Sequence, residues 1–213
     1  MAKEKNFSYA KKKPLVCIVI VNWNGLEVTK NCIDSLFKQT SYPNYKVTLL
    51  DNGSNDKSVE LFSKYKNLDL IKLNQNVGYA PAVNIAWKQS IEKYNPDYLC
   101  NINNDVIFSQ KEWLDLMIDE LEKNPINGIC GNKLTFPNGE IQKLHTNFDK
   151  HQYIEDSKTD YGFVREVKAI SGTSMLIKKS LINKIGALDE NFFYGADDTD
   201  YCLRTLKSGY KII

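Results

Sequence analysis

The 213-residue sequence has no apolar stretch long enough to cross a bilayer. Its longest, Leu15 to Val21, falls far short of the roughly 20 residues that a spanning helix needs. The basic N-terminus is not followed by the apolar core and small-residue cleavage site of a signal peptide. A cytoplasmic location is therefore expected. Cysteine is sparse: Cys17, Cys32, Cys100, Cys130 and Cys202 are odd in number and widely spaced, with no Cys-x-x-Cys pair. That pattern argues against a disulfide framework and a zinc site, and for reduced, buried thiols. Histidine is sparser still, with only His145 and His151, both in a polar stretch where surface positions are the rule. No Gly-x-Gly-x-x-Gly follows the first apolar run, which counts against a dinucleotide dehydrogenase, and the absence of Gly-x-x-x-x-Gly-Lys-Ser/Thr counts against a P-loop NTPase.

The net charge of +2 is unevenly placed. Five of the 28 basic residues (Lys3, Lys5, Lys11, Lys12 and Lys13) lie within residues 1–13, against the single acid Glu4. The tail reads as a flexible, solvated leader, with peripheral contact to anionic lipid headgroups as the sharper alternative. The body carries no basic stripe with interleaved aromatics, so nucleic acid is not an expected partner.

What the body does carry is regular alternation. Leu15 to Val21 is continuously apolar and rich in β-branched residues, as a strand buried on both faces should be. Leu26, Val28, Cys32, Ile33, Leu36 and Phe37 then recur at helical spacing through Gln39. Strands are expected at Tyr45–Leu50, Leu68–Leu73 and Asp97–Ile102. Helices are expected at Ser58–Tyr65, with Asp56 able to cap it, at Tyr79–Lys93, with Pro81 in its first turn, and at Lys111–Lys123. Four rounds of strand and helix predict a parallel sheet covered on both faces. The second half is less regular. It offers a strand at Ile126–Gly131, a hairpin tip at Pro137-Asn138-Gly139, a strand at Met175–Ile177, a helix at Lys179–Ile185, and another after Asp197-Asp198 running to about Lys207. The stretch from Gln142 to Glu166 carries no regular pattern. Its aromatics Phe148, Tyr153, Tyr161 and Phe163 read either as anchors of a surface loop or as a wall of an acceptor site.

The expected strands end in polar residues: Asn22-Trp23-Asn24-Gly25, Asp51-Asn52-Gly53-Ser54 and Asn101-Ile102-Asn103-Asn104-Asp105, the last with three amides and one carboxylate. In an open α/β sheet, the C-terminal ends of strands are where ligands bind. Asp105 offers a hard oxygen ligand for a divalent cation, and the neighbouring Asn side chains offer carbonyls and amide donors. The bland alternative is an ordinary polar turn. Asp197, Asp198 and Asp200 read alone as acids at a helix N-terminus.

Taken in order, Val19-Ile20-Val21-Asn22-Trp23-Asn24-Gly25, Asp51-Asn52-Gly53-Ser54, Asn76-Val77-Gly78, Asn103-Asn104-Asp105 and Phe192 to Arg204 resemble glycosyltransferase family 2, especially its rhamnosyltransferase-like branch. The resemblance runs from Pro14 to the last residue. It implies an α/β fold of GT-A (Rossmann-like) type, with a mostly parallel central sheet flanked by helices and a smaller acceptor-side region. Residues 14–132 would form the nucleotide-binding half and residues 133–213 the acceptor and catalytic half. It further implies a nucleoside-diphosphate sugar donor, with dTDP-rhamnose or a UDP-hexose as the expected donor. A Mg2+ or Mn2+ ion, inversion at the anomeric carbon, and a glycan or lipid-linked acceptor complete what it implies. Carried over residue by residue, Val21, Asn22 and Trp23 line the nucleotide pocket, Asp51 faces the base or ribose, and Asn76 and Gly78 border the nucleoside. Asn103, Asn104 and Asp105 match the Asp-x-Asp position, with Asp105 as metal ligand. Asp197 and Asp198 match the Glu-Asp pair, with Asp198 as catalytic base. Asn103 replaces an acid and Asp197 a Glu. Members of the family usually continue beyond Gly209–Ile213, so the resemblance also implies a domain that is C-terminally incomplete here. Two rivals are a sugar nucleotidyltransferase, for which Asn22–Gly25 lacks the Gly-rich, Arg- and Lys-bearing signature, and a non-catalytic nucleotide-sugar or glycan-binding domain.

Overall fold

The computed structural model describes residues 13–143, 145–149, 152–157 and 164–213. The first apolar run forms β1 (Val16–Asn22), followed by α1 (Leu26–Gln39), β2 (Tyr45–Asp51), α2 (Ser58–Phe62), β3 (Leu68–Lys72), α3 (Tyr79–Tyr94), β4 (Tyr98–Asn103) and α4 (Trp113–Glu122). The second half contributes β5 (Asn127–Gly131), β6 (Leu134–Thr135), β7 (Ile141–Lys143), β8 (His145–Asp149), β9 (Gln152–Ser157), β10 (Ser174–Lys178), α5 (Lys179–Ile185), α6 (Asp197–Lys207) and β11 (Lys211–Ile212).

Seven strands make one sheet in the order β11-β5-β10-β4-β1-β2-β3. β1 lies between β2 and β4 and runs parallel to both. Its side chains alternate between two cores. Val16, Ile18 and Ile20 meet Cys32, Ile33 and Leu36 of α1 and Leu114, Met117, Ile118 and Leu121 of α4. Cys17 and Val19 belong with Ala82, Val83, Ala86 and Trp87 of α3, Leu181 of α5 and Tyr201 of α6. A strand covered on both faces has no polar side, which is why Leu15–Val21 reads as unbroken hydrophobicity. On the second face the Trp87 indole donates to Asn101 Oδ1 at 2.8 Å and meets the Tyr201 ring edge-on at 5.8 Å. Asn101 is therefore a buried amide whose oxygen is engaged in the core, and it takes no place at the sheet edge with Asn103.

The register collects the polar strand ends. Asn22 pairs with Asp51, and Val21 with Asn103, so three turns open at one edge of the sheet. β10 is the exception to parallel pairing. It runs antiparallel between β4 and β5, with Ser174 opposite Ile102. Because of that reversal it enters the sheet at the edge where β4 leaves it, which brings Ser171–Thr173 to the same place.

Several boundaries differ from expectation. Leu15 falls just outside β1, where its N–H donates to Asp97 Oδ2 at 2.8 Å. The helix expected to reach Tyr65 ends at Phe62, because Lys64 and Tyr65 turn to donate to Leu61 and Phe62, three residues back. α4 starts at Trp113, because the Lys111 carbonyl is engaged by the Ser41 N–H and hydroxyl. Pro137–Gly139 does form a hairpin tip, between β6 and β7. The stretch without pattern contains a second hairpin, β8–β9, with His145 opposite Ser157. The backbones of Phe148 and Tyr153 lie in it, whereas His151, Tyr161, Phe163 and residues 1–12 of the basic tail lie outside the described residues. Lys13, the last residue of that tail, ion-pairs with Asp115 at 2.8 Å. All five cysteines are buried and none is in a disulfide, and burial pushes the Cys17 and Cys32 thiols up to about 12. No helix among the described residues is long and apolar enough to cross a membrane.

Candidate active site

The turns after β1 and β2 are clasped together. Asn22 is fully buried and uses its whole amide: Nδ2 donates to Asp51 Oδ2 at 2.9 Å and to Ser54 Oγ at 3.2 Å, while Oδ1 accepts from Thr29 Oγ1 at 2.8 Å and Gly25 N at 3.2 Å. Asp51 is equally buried, and its Oδ1 accepts from Ser54 N at 2.9 Å. Asp56 accepts from Ser58 N at 2.9 Å and Leu26 N at 3.1 Å, so it ties the starts of α2 and α1 at once. Burial pushes its pKa up, but these hydrogen bonds outweigh burial and hold it below the usual carboxylate value. Val21 is half-buried beneath this corner, and the Trp23 indole stands at its lip, 55% exposed.

A second clasp joins this corner to the loop before α3. Asn52 Nδ2 donates to Asn76 Oδ1 at 3.0 Å and to the Gly78 carbonyl at 3.1 Å, and Asn52 Oδ1 accepts from Val77 N at 3.0 Å. Gly53 has φ +77°, and a Cβ there would stand 2.5 Å from the Gln75 backbone. Gly78 has φ +93°, and a Cβ there would stand 2.9 Å from the Phe193 ring. Both positions need glycine for backbone conformation as well as space.

The centre of the site is reached from β4. Asn103 N donates to the Thr173 carbonyl at 2.9 Å, and Asn103 Oδ1 accepts from the Tyr79 hydroxyl at 3.2 Å. Asn104 turns inward, where its Nδ2 donates to Thr29 Oγ1 at 2.8 Å. Asp105 turns outward and is exposed, with no hydrogen bond or ion pair among the described residues.

α6 supplies the remaining acids. Its entry is strained: Gly195 has φ +79° and Ala196 φ +63°, a left-handed conformation that costs a non-glycine residue about 1 kcal/mol or more. The Phe193 carbonyl, accepting from Tyr79 N at 2.9 Å, anchors the approach. Ala196 occupies the N-cap, and no side chain caps the helix. Asp200 is taken by Arg204 Nε at 2.7 Å. One oxygen of Asp198 reaches out of the helix, where Oδ2 accepts from Gly172 N at 2.8 Å, while Oδ1 accepts from Thr199 N of the same helix at 2.7 Å. Asp197 is only 6% exposed; burial, and then the Asp198 charge, push its pKa up to about 6.

Tyr79 shows that these groups share one place. Burial raises its phenol pKa first, and the charges of Asp197, Asp198 and Asp105 raise it further. Its hydroxyl therefore stays protonated and sits within the field of all three acids. The structure thus brings Asn103, Asp105, Asp197 and Asp198 to one centre, with Val21, Asn22, Trp23, Asp51, Asn76, Gly78 and Asn104 in the adjoining corner. Thr29, Asn52, Tyr79 and the Ser171–Thr173 turn complete it and were not among the residues expected from the sequence. Of these, only Asn52 carried a signal, in its place between Asp51 and Gly53.

The Asp197 carboxyl also makes stability depend on pH. Its folded pKa lies above the ordinary value of 3.8, so its contribution is fully present below about pH 4 and is lost as pH rises through about 6. Asp197→Asn, which mimics the protonated form, is expected to stabilise the protein above pH 6 by about 1–3 kcal/mol, with the gain vanishing below pH 4. Chemical denaturation at pH 4 and pH 7.5 measures the difference.

The residues present fit a divalent cation brought in with an anionic substrate. Among the described residues no three His, Cys, Asp or Glu side chains converge to form a protein cage. Asp105, exposed and without a hydrogen bond or ion pair among the described residues, would hold such a cation by one carboxylate, a donor count that suits Mg2+ when an anionic ligand supplies further oxygens. Two open grooves of about 300 and 580 Å³ line β2 and β3 near Lys46, Asp69 and Tyr94, and neither is lined by any residue of this site.

The sheet order, with one antiparallel strand inserted beside β4, and the site at its C-terminal edge define a GT-A fold. A mannosyltransferase of Pyrobaculum calidifontis, PcManGT, solved with GDP-Man and Mn2+, superposes with a TM-score of 0.69 at 15% identity, covering 95% of this chain and 55% of that one. The chain belongs to Glycosyl transferase family 2, whose family model matches residues 17–186. Among relatives, the O-antigen biosynthesis protein RfbC of Myxococcus xanthus is 24% identical over 214 residues, which span 94% of this chain and 16% of RfbC. The O-antigen chain rhamnosyltransferase RfbN of Salmonella typhimurium is 21% identical over 202 residues, spanning 92% of this chain and 62% of RfbN. The chain thus corresponds to only part of these longer proteins.

Proposed function

We propose that this chain is the catalytic domain of an inverting glycosyltransferase. It would move a sugar from a nucleoside-diphosphate donor to a hydroxyl of a glycan or lipid-linked acceptor in cell-surface polysaccharide synthesis. The observation that carries the reading is the position of Asp198. Two backbone N–H groups, one from Gly172 before β10 and one from Thr199 in its own helix, fix its carboxylate in the centre it shares with Asp105, Asn103 and Tyr79. A carboxylate so fixed can take the acceptor's proton as its oxygen attacks the anomeric carbon. The bond from that carbon to the diphosphate oxygen breaks with its electron pair going to the phosphate, and attack from the opposite face inverts the configuration. Asp197, beside Asp198, modulates the charge there. Trp23, at the lip, is placed to stack on the base. Asp51, Asn76 and Gly78 shape the nucleoside corner, and the Asn103 amide and Asp105 carboxylate face the diphosphate. When bound, Mg2+ or Mn2+ at Asp105 supplies positive charge that stabilises the leaving phosphates.

The family match and the rhamnosyltransferase name of a relative support a deoxyhexose or hexose donor such as dTDP-rhamnose or a UDP-sugar. The lysine-rich tail, attracted to anionic headgroups, would keep the domain at the inner face of the membrane, where a lipid-linked acceptor lies. Stereochemistry tests the mechanism without knowledge of the acceptor. Slow hydrolysis of the bound donor, followed by proton NMR, is expected to release first the anomer opposite to the donor's. Release of the retained anomer would contradict the assignment.

A further inference from the structure

Thr29 lies in the first turn of α1 and is fully buried. Its hydroxyl is within 2.8 Å of both Asn22 Oδ1 and Asn104 Nδ2. The Asn104 amide nitrogen can only donate, so Thr29 accepts from it and gives its own single proton to the Asn22 carbonyl. Asn22 Nδ2 in turn donates to Asp51 Oδ2 at 2.9 Å and Ser54 Oγ at 3.2 Å, and Ser54 Oγ accepts from Asn24 N at 2.9 Å. The bonds therefore run in one direction, Asn104 to Thr29 to Asn22 to Asp51, and join the turns after β4, β1 and β2 through α1. The space around them is filled: a Cβ on Gly25 would stand 2.8 Å from Asn104 Nδ2 and 2.9 Å from Asn22 Oδ1.

This chain of bonds fixes the outward residue by fixing the inward one. With Asn104 tied beneath the cleft, its neighbour Asp105 is left facing out, with no hydrogen bond or ion pair among the described residues. At the other end, the Asp51–Ser54 turn that shapes the nucleoside corner keeps bonds of its own, from Asn22 Nδ2 and Ser54 N. We propose that Thr29 is a positioning residue for the diphosphate half of the donor site, which it serves by holding Asn104 inward and so setting the direction of Asp105. The inference rests on the donor-site reading given above. Without the hydroxyl, the half-buried Asn104 amide and the buried Asn22 carbonyl each lose a partner, and Asn104 no longer has a reason to stay inward. Residues that orient a ligand group from behind typically change affinity by about 10- to 100-fold when lost.

The test is calorimetric titration of wild type, Thr29→Val and Thr29→Ser with UDP, dTDP and GDP and the matching monophosphates, each with and without Mn2+. Thr29→Val is expected to weaken Mn2+-dependent diphosphate binding by about 10-fold or more, and metal-free monophosphate binding by less than about twofold. Thr29→Ser, which keeps the hydroxyl, is expected to restore the diphosphate affinity. Equal weakening of monophosphate and diphosphate, an unchanged diphosphate affinity, or no rescue by serine overturns the proposal. So does a lowered melting midpoint in Thr29→Val with the metal-dependent ratio intact, which would mark a hydroxyl that serves folding alone. If wild type binds none of the nucleotides, the donor-site reading fails and this inference falls with it. If wild type binds and the Thr29→Val variant behaves like it, the inference alone fails.

Discussion

Asp198→Asn lowers transfer by about 10²- to 10⁴-fold and leaves donor affinity within about twofold of wild type; this is the outcome expected of a lost general base. The substitution keeps the size of the side chain and removes only its ability to take a proton. It has a structural side effect. Both carboxylate oxygens accept from backbone N–H groups, those of Gly172 and Thr199, so the amide nitrogen of asparagine must face one of these donors. That mismatch is worth about 1–3 kcal/mol. Melting and donor binding should therefore be measured beside turnover. A lowered midpoint with intact donor affinity and collapsed turnover fits the base assignment. Near-normal turnover would show that the proton leaves by another route.

The second large effect is expected at Asp105. Asp105→Ala should abolish the strengthening of donor binding by Mn2+, an effect of about 100-fold if the cation carries the diphosphate's charge. Because Asp105 is exposed and has no hydrogen bond or ion pair among the described residues, its removal should change folding stability by no more than about 0.5 kcal/mol. The two variants thus separate the functions. Asp105→Ala acts on binding with the fold untouched, and Asp198→Asn acts on turnover with binding untouched. If Asp105→Ala binds donor as tightly as wild type in Mn2+, the metal is held elsewhere or is not used.

Much of this could be read from the chain because parallel pairing leaves plain marks. β1 is buried on both faces and reads as continuous hydrophobicity, and its register with β2 and β4 sets Asn22 beside Asp51 and Val21 beside Asn103. Alternation alone therefore placed the polar strand ends at one edge. The antiparallel direction of β10 left no local mark, because it depends on how the chain returns through a connection whose residues 142–166 carry no regular pattern. The division of labour among the amides was also hidden. Asn101, Asn103 and Asn104 look alike in sequence, yet one bonds a core tryptophan, one a tyrosine hydroxyl and one a buried threonine. Each partner comes from a different helix or helix turn, so only the assembled sheet can assign them. Thr29 and Tyr79 were missed for the same reason. On a helix pattern they read as an interior filler and a first-turn aromatic, and their hydroxyls gain meaning only beside Asn104 and Asn103.

The central claim is that this edge of the sheet is a metal-assisted nucleoside-diphosphate site. It is tested most directly by titrating the wild-type chain with UDP, dTDP and GDP, with and without Mn2+. The expected result is that one of the three binds and that Mn2+ strengthens its binding. Binding of none, or binding that Mn2+ leaves unchanged, would contradict the account.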